Sequence, residues 1–268
     1  MSARASRHIV MAVAFASCGL AFAQQQDDQS NGHIAPAPPE HPMAPMDEDR
    51  MMDVMAMDDA ATYAMFRLDR FEYADTDNGT ASAWSAQAWI GKDFDKLWLR
   101  SEGERAHGDT EHADVEILWD HAFATYWDTQ LGARHDFGEG ADRDWAAFGV
   151  RGLAPYWFEV SATAYAGSAG RSALRVEVDY DLSLTQRWIL QPRIEINAYG
   201  KDDPAARLGS GLSDAELGVR LRYEIRREFA PYIGVEWSRR FGRTADFERA
   251  EGLDVNDMRL VAGLRIWY

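Results

Sequence analysis

The chain has little that most folds lean on: one cysteine, Cys18, in 268 residues, 28 basic against 44 acidic residues, and no run of 18 apolar residues. A single thiol excludes an internal disulfide framework. The shortage of Lys and Arg, with a net charge of −16, argues against a nucleic-acid partner, whose phosphates demand basic neutralisation. An acidic chain suits cations better. The missing apolar run excludes a conventional membrane-crossing helix but not a membrane-crossing sheet. Ten Trp, ten Tyr and twelve Phe nevertheless sit in a chain of mean hydropathy −0.42, so apolar and polar material must be separated locally rather than along the chain.

The N-terminus reads as an export signal. Arg4, Arg7 and His8 supply a positive start, Ile9 to Leu20 an apolar stretch, and Ala21-Phe22-Ala23 a small-residue cleavage site, giving a signal peptide over residues 1–23. The rival is lipoprotein processing at Cys18, but Phe15-Ala16-Ser17 lacks the usual aliphatic residue three before the cysteine. Cleavage after Ala23 removes Arg4, Arg7 and Cys18, leaving 26 basic against 44 acidic residues, a net −18 and no thiol at all.

Residues 24–64 show no periodicity and carry Gln24-Gln25-Gln26, Pro36-Ala37-Pro38-Pro39, Pro42 and Pro45, the composition of a disordered or extended arm. Six of the ten methionines fall here, Met43, Met46, Met51, Met52, Met55 and Met57, interleaved with Asp47, Glu48, Asp49, Asp53, Asp58 and Asp59 and preceded by His33 and His41. Thioether sulfur is a soft, neutral donor that selects Cu(I), and imidazole accepts Cu(I) or Cu(II). A methionine stripe is ordinarily core packing, but this one is acidic, bounded by proline and has no companion Leu/Ile face. The pattern predicts metal capture.

From Met65 onward the texture becomes short alternating segments. Ala215, Leu217, Val219, Leu221, Tyr223 and Ile225 oppose Glu216, Gly218, Arg220, Arg222 and Glu224; Leu174, Val176, Val178, Tyr180 and Leu182 oppose Arg175, Glu177, Asp179 and Asp181. Twelve such segments are predicted, at 65–73, 83–91, 95–106, 112–122, 125–135, 143–152, 156–166, 172–184, 187–199, 213–226, 230–241 and 257–268. Most are near the 9–11 residues or so a tilted strand needs to cross a bilayer, and an even number fits bacterial outer-membrane barrels. Brief connections (92–94, 124, 153–155, 186, 227–229) are expected on the periplasmic side and longer ones (74–82, 107–111, 136–142, 201–212, 242–256) outside. A soluble β-sandwich also alternates, but does not need an aromatic-rich apolar face on nearly every strand. The expected fold is all-β: an antiparallel transmembrane barrel of the bacterial outer-membrane type over residues 65–268.

In such a barrel the polar face lines the lumen. Arg67, Asp69, Arg100, Glu102, Glu104, Glu116, Asp120, Asp128, Arg134, Asp136, Glu159, Arg175, Glu177, Asp179, Arg193, Glu195, Glu216, Arg220, Glu224 and Glu236 are expected there, 14 acids to 6 bases. Such a lining would favour cations; a hydrated filling of ion pairs with no transport role is the plainer reading. His107 and His112 flank an expected loop with Asp109 and Glu111 between them, a weak metal motif ranked below the Met arm, while His121 and His135 lie near strand ends as hydrogen-bonding or interface residues.

A Met/His-rich exported arm is followed by Lys96–Arg105, Arg134-His-Asp-Phe137, Arg143–Glu159, Leu184–Arg193, Gly209–Asp214 and Tyr223–Tyr232. Over nearly the whole mature chain, these blocks resemble the outer-membrane copper resistance protein B family. The resemblance implies a non-enzymatic, copper-binding outer-membrane barrel with a periplasmic arm, acting beside a periplasmic multicopper oxidase and other copper-handling proteins in copper tolerance. The arm carries fewer Met and His units than richer relatives, which implies lower capacity. Three alternatives stand beside this: copper uptake rather than export, a passive porin-like barrel, and a lipase or protease on the barrel rim using His107, His112, His121 or His135. No nucleophile-base motif supports the last.

Overall fold

The computed structural model describes residues 61–76, 79–106, 109–138 and 142–268. They form a closed antiparallel barrel of twelve strands. The strands are β1 (Tyr63–Thr76), β2 (Gly79–Gly91), β3 (Asp95–Ala106), β4 (Asp109–Ala124), β5 (Trp127–Gly138), β6 (Arg143–Ala154), β7 (Phe158–Gly167), β8 (Ser172–Asp179), β9 (Trp188–Tyr199), β10 (Gly211–Tyr223), β11 (Phe229–Arg240) and β12 (Asn256–Trp267). Each pairs with its sequence neighbour, and β12 closes on β1 with Arg67 opposite Trp267 and Leu68 opposite Ile266. Tyr268 completes the seam: its N–H donates to the Phe66 carbonyl at 2.8 Å, and the Phe66 N–H donates back at 2.9 Å. Closure leaves no unpaired edge, the condition for a sheet in hydrocarbon.

Alternation decides which face is which. Along β6, Arg143, Trp145, Ala147 and Gly149 are buried while Asp144, Ala146 and Phe148 are exposed. Phe66, Leu99, Ile117, Leu131, Phe148, Leu217 and Ile233 are likewise exposed on the outer wall, whereas Glu72, Asp114, Glu116, Asp120, Arg134, Glu195, Arg220 and Glu236 are buried. Hydrophobic side chains outside and charges inside is the inversion that lipid imposes.

β1 departs from strict alternation. Arg67 and Asp69 point inward as expected, but a bulge between Leu68 and Arg70 adds a residue and resets the phase, so that Arg70 lines the lumen and Glu72 is buried. β8 is also interrupted. After Asp179 it resumes only as Leu182–Ser183, where a continuous strand to residue 184 was expected. The break frees Asp181 to reach Arg222 at 2.9 Å and Arg265 at 3.7 Å.

The chain enters β1 and leaves β12 at one end of the barrel, here the terminal end. Its turns span 92–94, 125–126, 155–157, 184–187 and 224–228. At the far end the expected long connections at 74–82 and 107–111 are replaced by strand: β1 runs to Thr76, β2 starts at Gly79, and β4 starts at Asp109. Backbone pairing continues past the apolar face because no Pro interrupts either hairpin arm. The length asymmetry is carried by residues 200–210 and 241–255. The latter holds a helix unexpected from sequence, α1 (Gly242–Ala250), whose buried Thr244 accepts from the Gly209 N–H and hydrogen-bonds the Ser213 hydroxyl, both at 2.9 Å.

Exposed aromatics crowd the terminal end: Tyr63, Phe94, Trp119, Tyr126, Tyr156, Trp157, Trp188, Trp267 and Tyr268. Their amphipathic rings suit a membrane–water boundary. Tyr156 and Trp157 sit at φ 68°, in the left-handed region, at a cost of order 1 kcal/mol each.

Candidate functional site

The six methionines Met43, Met46, Met51, Met52, Met55 and Met57, with His33, His41 and the loop residue His107, lie outside the described residues. What the structure places is the lumen, and most of the charges expected there are drawn into ion pairs.

The pairs run between strands and across the bore. Arg220 on β10 donates from Nε to Glu72 of β1 at 2.5 Å and from Nη2 to Glu236 of β11 at 2.6 Å. Arg259 on β12 shares Glu236 at 2.9 Å and reaches Glu104 on β3. Arg175 on β8 bridges to Glu102 on β3, in a distant part of the ring, and to Glu195 on β9, each at 3.2 Å. Arg193 binds Glu177 at 2.9 Å and Glu195 at 3.1 Å. Buried charges removed from water are tolerable only when answered this way, and losing one partner strands the other.

Glu102, Arg175, Glu177, Arg193 and Arg220 of these line a cavity of about 490 Å³. Its lining is more balanced than the 14-to-6 count from the sequence and fits the plainer reading of a paired filling. Asp69, Glu102, Asp114, Glu116, Asp128, Glu159, Glu177, Asp179 and Asp181 are matched by Arg67, Arg70, Arg100, Arg151, Arg175, Arg193, Arg220 and Arg265, nine carboxylates to eight guanidiniums. The sequence count missed arginines that the β1 bulge and neighbouring strands turn inward.

Aromatic rings are not confined to lipid. Trp98, Trp145 and Tyr165 are buried inside with Leu118 and Ala147. Trp98 carries Arg151 at 4.6 Å and Arg100 at 5.4 Å from its ring, and Tyr165 carries Arg134 at 5.0 Å while donating to Glu116 at 2.6 Å. Ring faces stabilise guanidinium charge where water is scarce, so interior aromatics belong to the charge network.

At the far mouth, His112, Asp114 and Asp136 converge, with ligand-type atoms all within 4.8 Å of one another. Asp109 and Glu111 sit in β4 rather than in the loop expected for them, and His112 lies in β4, whose predicted segment began with it. Asp203, in the 200–210 connection, accepts from Arg143 at 2.9 Å and Arg171 at 3.2 Å. Burial pushes its carboxyl up, but the hydrogen bonds and charges of those two arginines outweigh it and hold Asp203 below the ordinary carboxylate range. Neighbouring Asp202 is held down chiefly by the Ser210 backbone N–H, at 2.7 Å. His121 and His135 are exposed on the outer wall and paired with Asp95 at 2.9 Å and Asp144 at 2.8 Å. Among the described residues, His112, His121 and His135 contact carboxylates and Arg134 rather than a serine hydroxyl.

Comparison with known proteins gives the same architecture and a family. The solved NanC porin superimposes with a TM-score of 0.50 at 12% identity, covering 76% of this chain and 99% of that one, a likeness of fold alone. Copper resistance protein B homolog of Pseudomonas syringae pv. tomato is 52% identical over 210 residues, 78% of this chain and 71% of its own length. Copper resistance protein B of Escherichia coli is 47% identical over 213 residues, 80% of this chain and 72% of its own. The family model described as copper resistance protein B precursor (CopB) matches residues 62–268. An outer-membrane-type barrel with a charge-paired lumen, matched over its whole length by that family, belongs to the copper resistance protein B family.

Proposed function

We propose that this protein is a non-catalytic copper-binding barrel of the outer membrane, its arm (residues 24–64, the N-terminus once residues 1–23 are removed) facing the periplasm. Met43, Met46, Met51, Met52, Met55 and Met57 hold Cu(I), with His33 and His41 as weaker ligands. Copper is the cargo. The barrel keeps the loaded arm at the membrane and restricts transit to ions that exchange ligands in the lumen. Entry of the chain into β1 at the end with the short turns supports the periplasmic placement, since short turns face the periplasm in barrels of this type. A periplasmic multicopper oxidase fits as a partner that draws on the same Cu(I).

The observation favouring restricted handling over a passive pore is the cross-bore bridging of Arg175 to Glu102 and of Arg259 to Glu104. An open diffusion pore leaves its charges on the wall. The test is copper flux into liposomes carrying the full-length protein or its six-Met→Leu variant, paired with copper tolerance of cells expressing each. Slow, arm-dependent flux and lost tolerance in the variant are expected; fast flux of unrelated small solutes, or unchanged tolerance, would contradict the proposal. The sign of the gradient that drives movement reads out export against uptake.

A further inference from the structure

His112, Asp114 and Asp136 gather on β4 and β5, with Glu104 and Glu102 of β3 opposite His112 and Asp114, and Arg143 of β6 opposite Asp136. β4 and β5 pair with Asp114 directly opposite Asp136, and His112 opposite Gly138. Like charges facing each other across an antiparallel pair are destabilising, and here both acids lean on one guanidinium: Arg134 reaches Asp136 at 2.5 Å and Asp114 at 3.1 Å. Two carboxylates and one imidazole thus lie within reach of the one Arg134 guanidinium.

Asp114 is 1% exposed, and its Oδ2 accepts no directed hydrogen bond, since Arg134 Nη2 lies close but out of line. A buried carboxylate oxygen held by an ion pair without a directed hydrogen bond is incompletely satisfied, and this one faces His112 Nε2 at 3.7 Å. Arg134 Nη2 is also 3.5 Å from His112 Nε2. A guanidinium can only donate, so that contact is productive when the imidazole is neutral with its proton on Nδ1, which turns the Nε2 lone pair into the cluster. Trp145 Nε1 donates to Asp136 Oδ2 at 2.7 Å, the kind of outer contact that orients a metal-binding carboxylate.

We infer that His112, Asp114 and Asp136 form a second copper site, selective for Cu(II), at the far mouth of the barrel, with Arg134 as its competing resident cation. One imidazole nitrogen and two carboxylate oxygens suit Cu(II), whereas the thioethers of the arm suit Cu(I); the identity of the metal as copper rests on the function proposed above. Donor atoms within 4.8 Å of one another, His112 Nε2 and Asp114 Oδ2 at 3.7 Å, need to contract by at most about 1 Å to reach the roughly 3–4 Å between ligands bonded at ~2 Å. The half-exposed His112 can supply that movement, because Gly138 across from it has no side chain. On metal binding the Arg134 guanidinium turns toward Glu116, already 3.8 Å away, and the Tyr165 ring. No electron transfer is involved.

The test adds Cu(II) alone, below one equivalent, to the purified full-length protein and records its electron paramagnetic resonance spectrum. A tetragonal signal with coupling to one nitrogen is expected, lost in His112→Asn and kept in His33→Asn/His41→Asn and in the six-Met→Leu variant. His112 is on the rim, so its variant retains the barrel, checked by heat-modifiable migration. Arg134→Gln should tighten Cu(II) binding roughly tenfold, because one positive charge no longer competes. An unchanged signal in His112→Asn, or weaker binding in Arg134→Gln with the barrel intact, overturns the inference. Failure of the arm reading shows separately, as unaltered Cu(I) stoichiometry in the six-Met→Leu variant.

Discussion

Two sets of carboxylates in the lumen use the same residue types to opposite effect. In one, each carboxylate is shared between two arginines: Glu236 lies between Arg220 and Arg259, and Glu195 between Arg175 and Arg193. In the other, Asp114 and Asp136 share the single guanidinium of Arg134 beside an imidazole, with Trp145 a further donor to Asp136. A charge census of the bore hides this. The first set cross-links the barrel, and the second is a place where a cation can replace Arg134.

The contrast breaks most severely at Arg220. Replacing it with Ala strands Glu72 in the interior and leaves Glu236 to Arg259, and should cost about 3–5 kcal/mol of stability, read by denaturant unfolding in detergent or loss of the heat-modifiable band. A small effect would mean that water already solvates the pair. Ile117→Arg on the outer wall probes the other face of the same strand as Glu116; a charge in the hydrocarbon should cost about 2–4 kcal/mol in refolding into phospholipid vesicles. At the mouth, Trp145→Phe removes only one donor to Asp136 and should cost about 1 kcal/mol. Thr244→Val, which frees α1 from Gly209 and Ser213, should cost a similar ~1 kcal/mol, with faster amide exchange confined to the 200–210 and 241–255 connections. His121→Asn, at an exposed pair on the outer wall, should change stability by less than about 0.5 kcal/mol.

Period-two alternation made the barrel legible because lipid enforces it on every strand. Leu217 and Val219 against Arg220 and Arg222 could be sorted without coordinates. What stayed hidden breaks the period or depends on distant strands. The β1 bulge turns Arg70 inward, and only the adjoining charges of Asp69 and Arg70 hinted at it. Trp98 and Tyr165 share the pattern of lipid-facing aromatics, and only their neighbours Arg100, Arg151 and Arg134 distinguish them. The α1 helix is short and polar, with the Asp246–Arg249 pair as its one local sign. At the candidate site, His112 stood out only with His107, whereas the partners that matter, Asp114 and Asp136, meet it through strand register. The arm is the reverse case: its donors are plain in sequence and lie outside the described residues.

The claim that carries most weight is that copper is first held by thioethers of the arm. Titration of the full-length protein with Cu(I), against the variant carrying Leu at Met43, Met46, Met51, Met52, Met55 and Met57, tests it directly. The account predicts that the variant loses the tight Cu(I) equivalents while its barrel remains folded. Equal affinity and stoichiometry in the two proteins would contradict it.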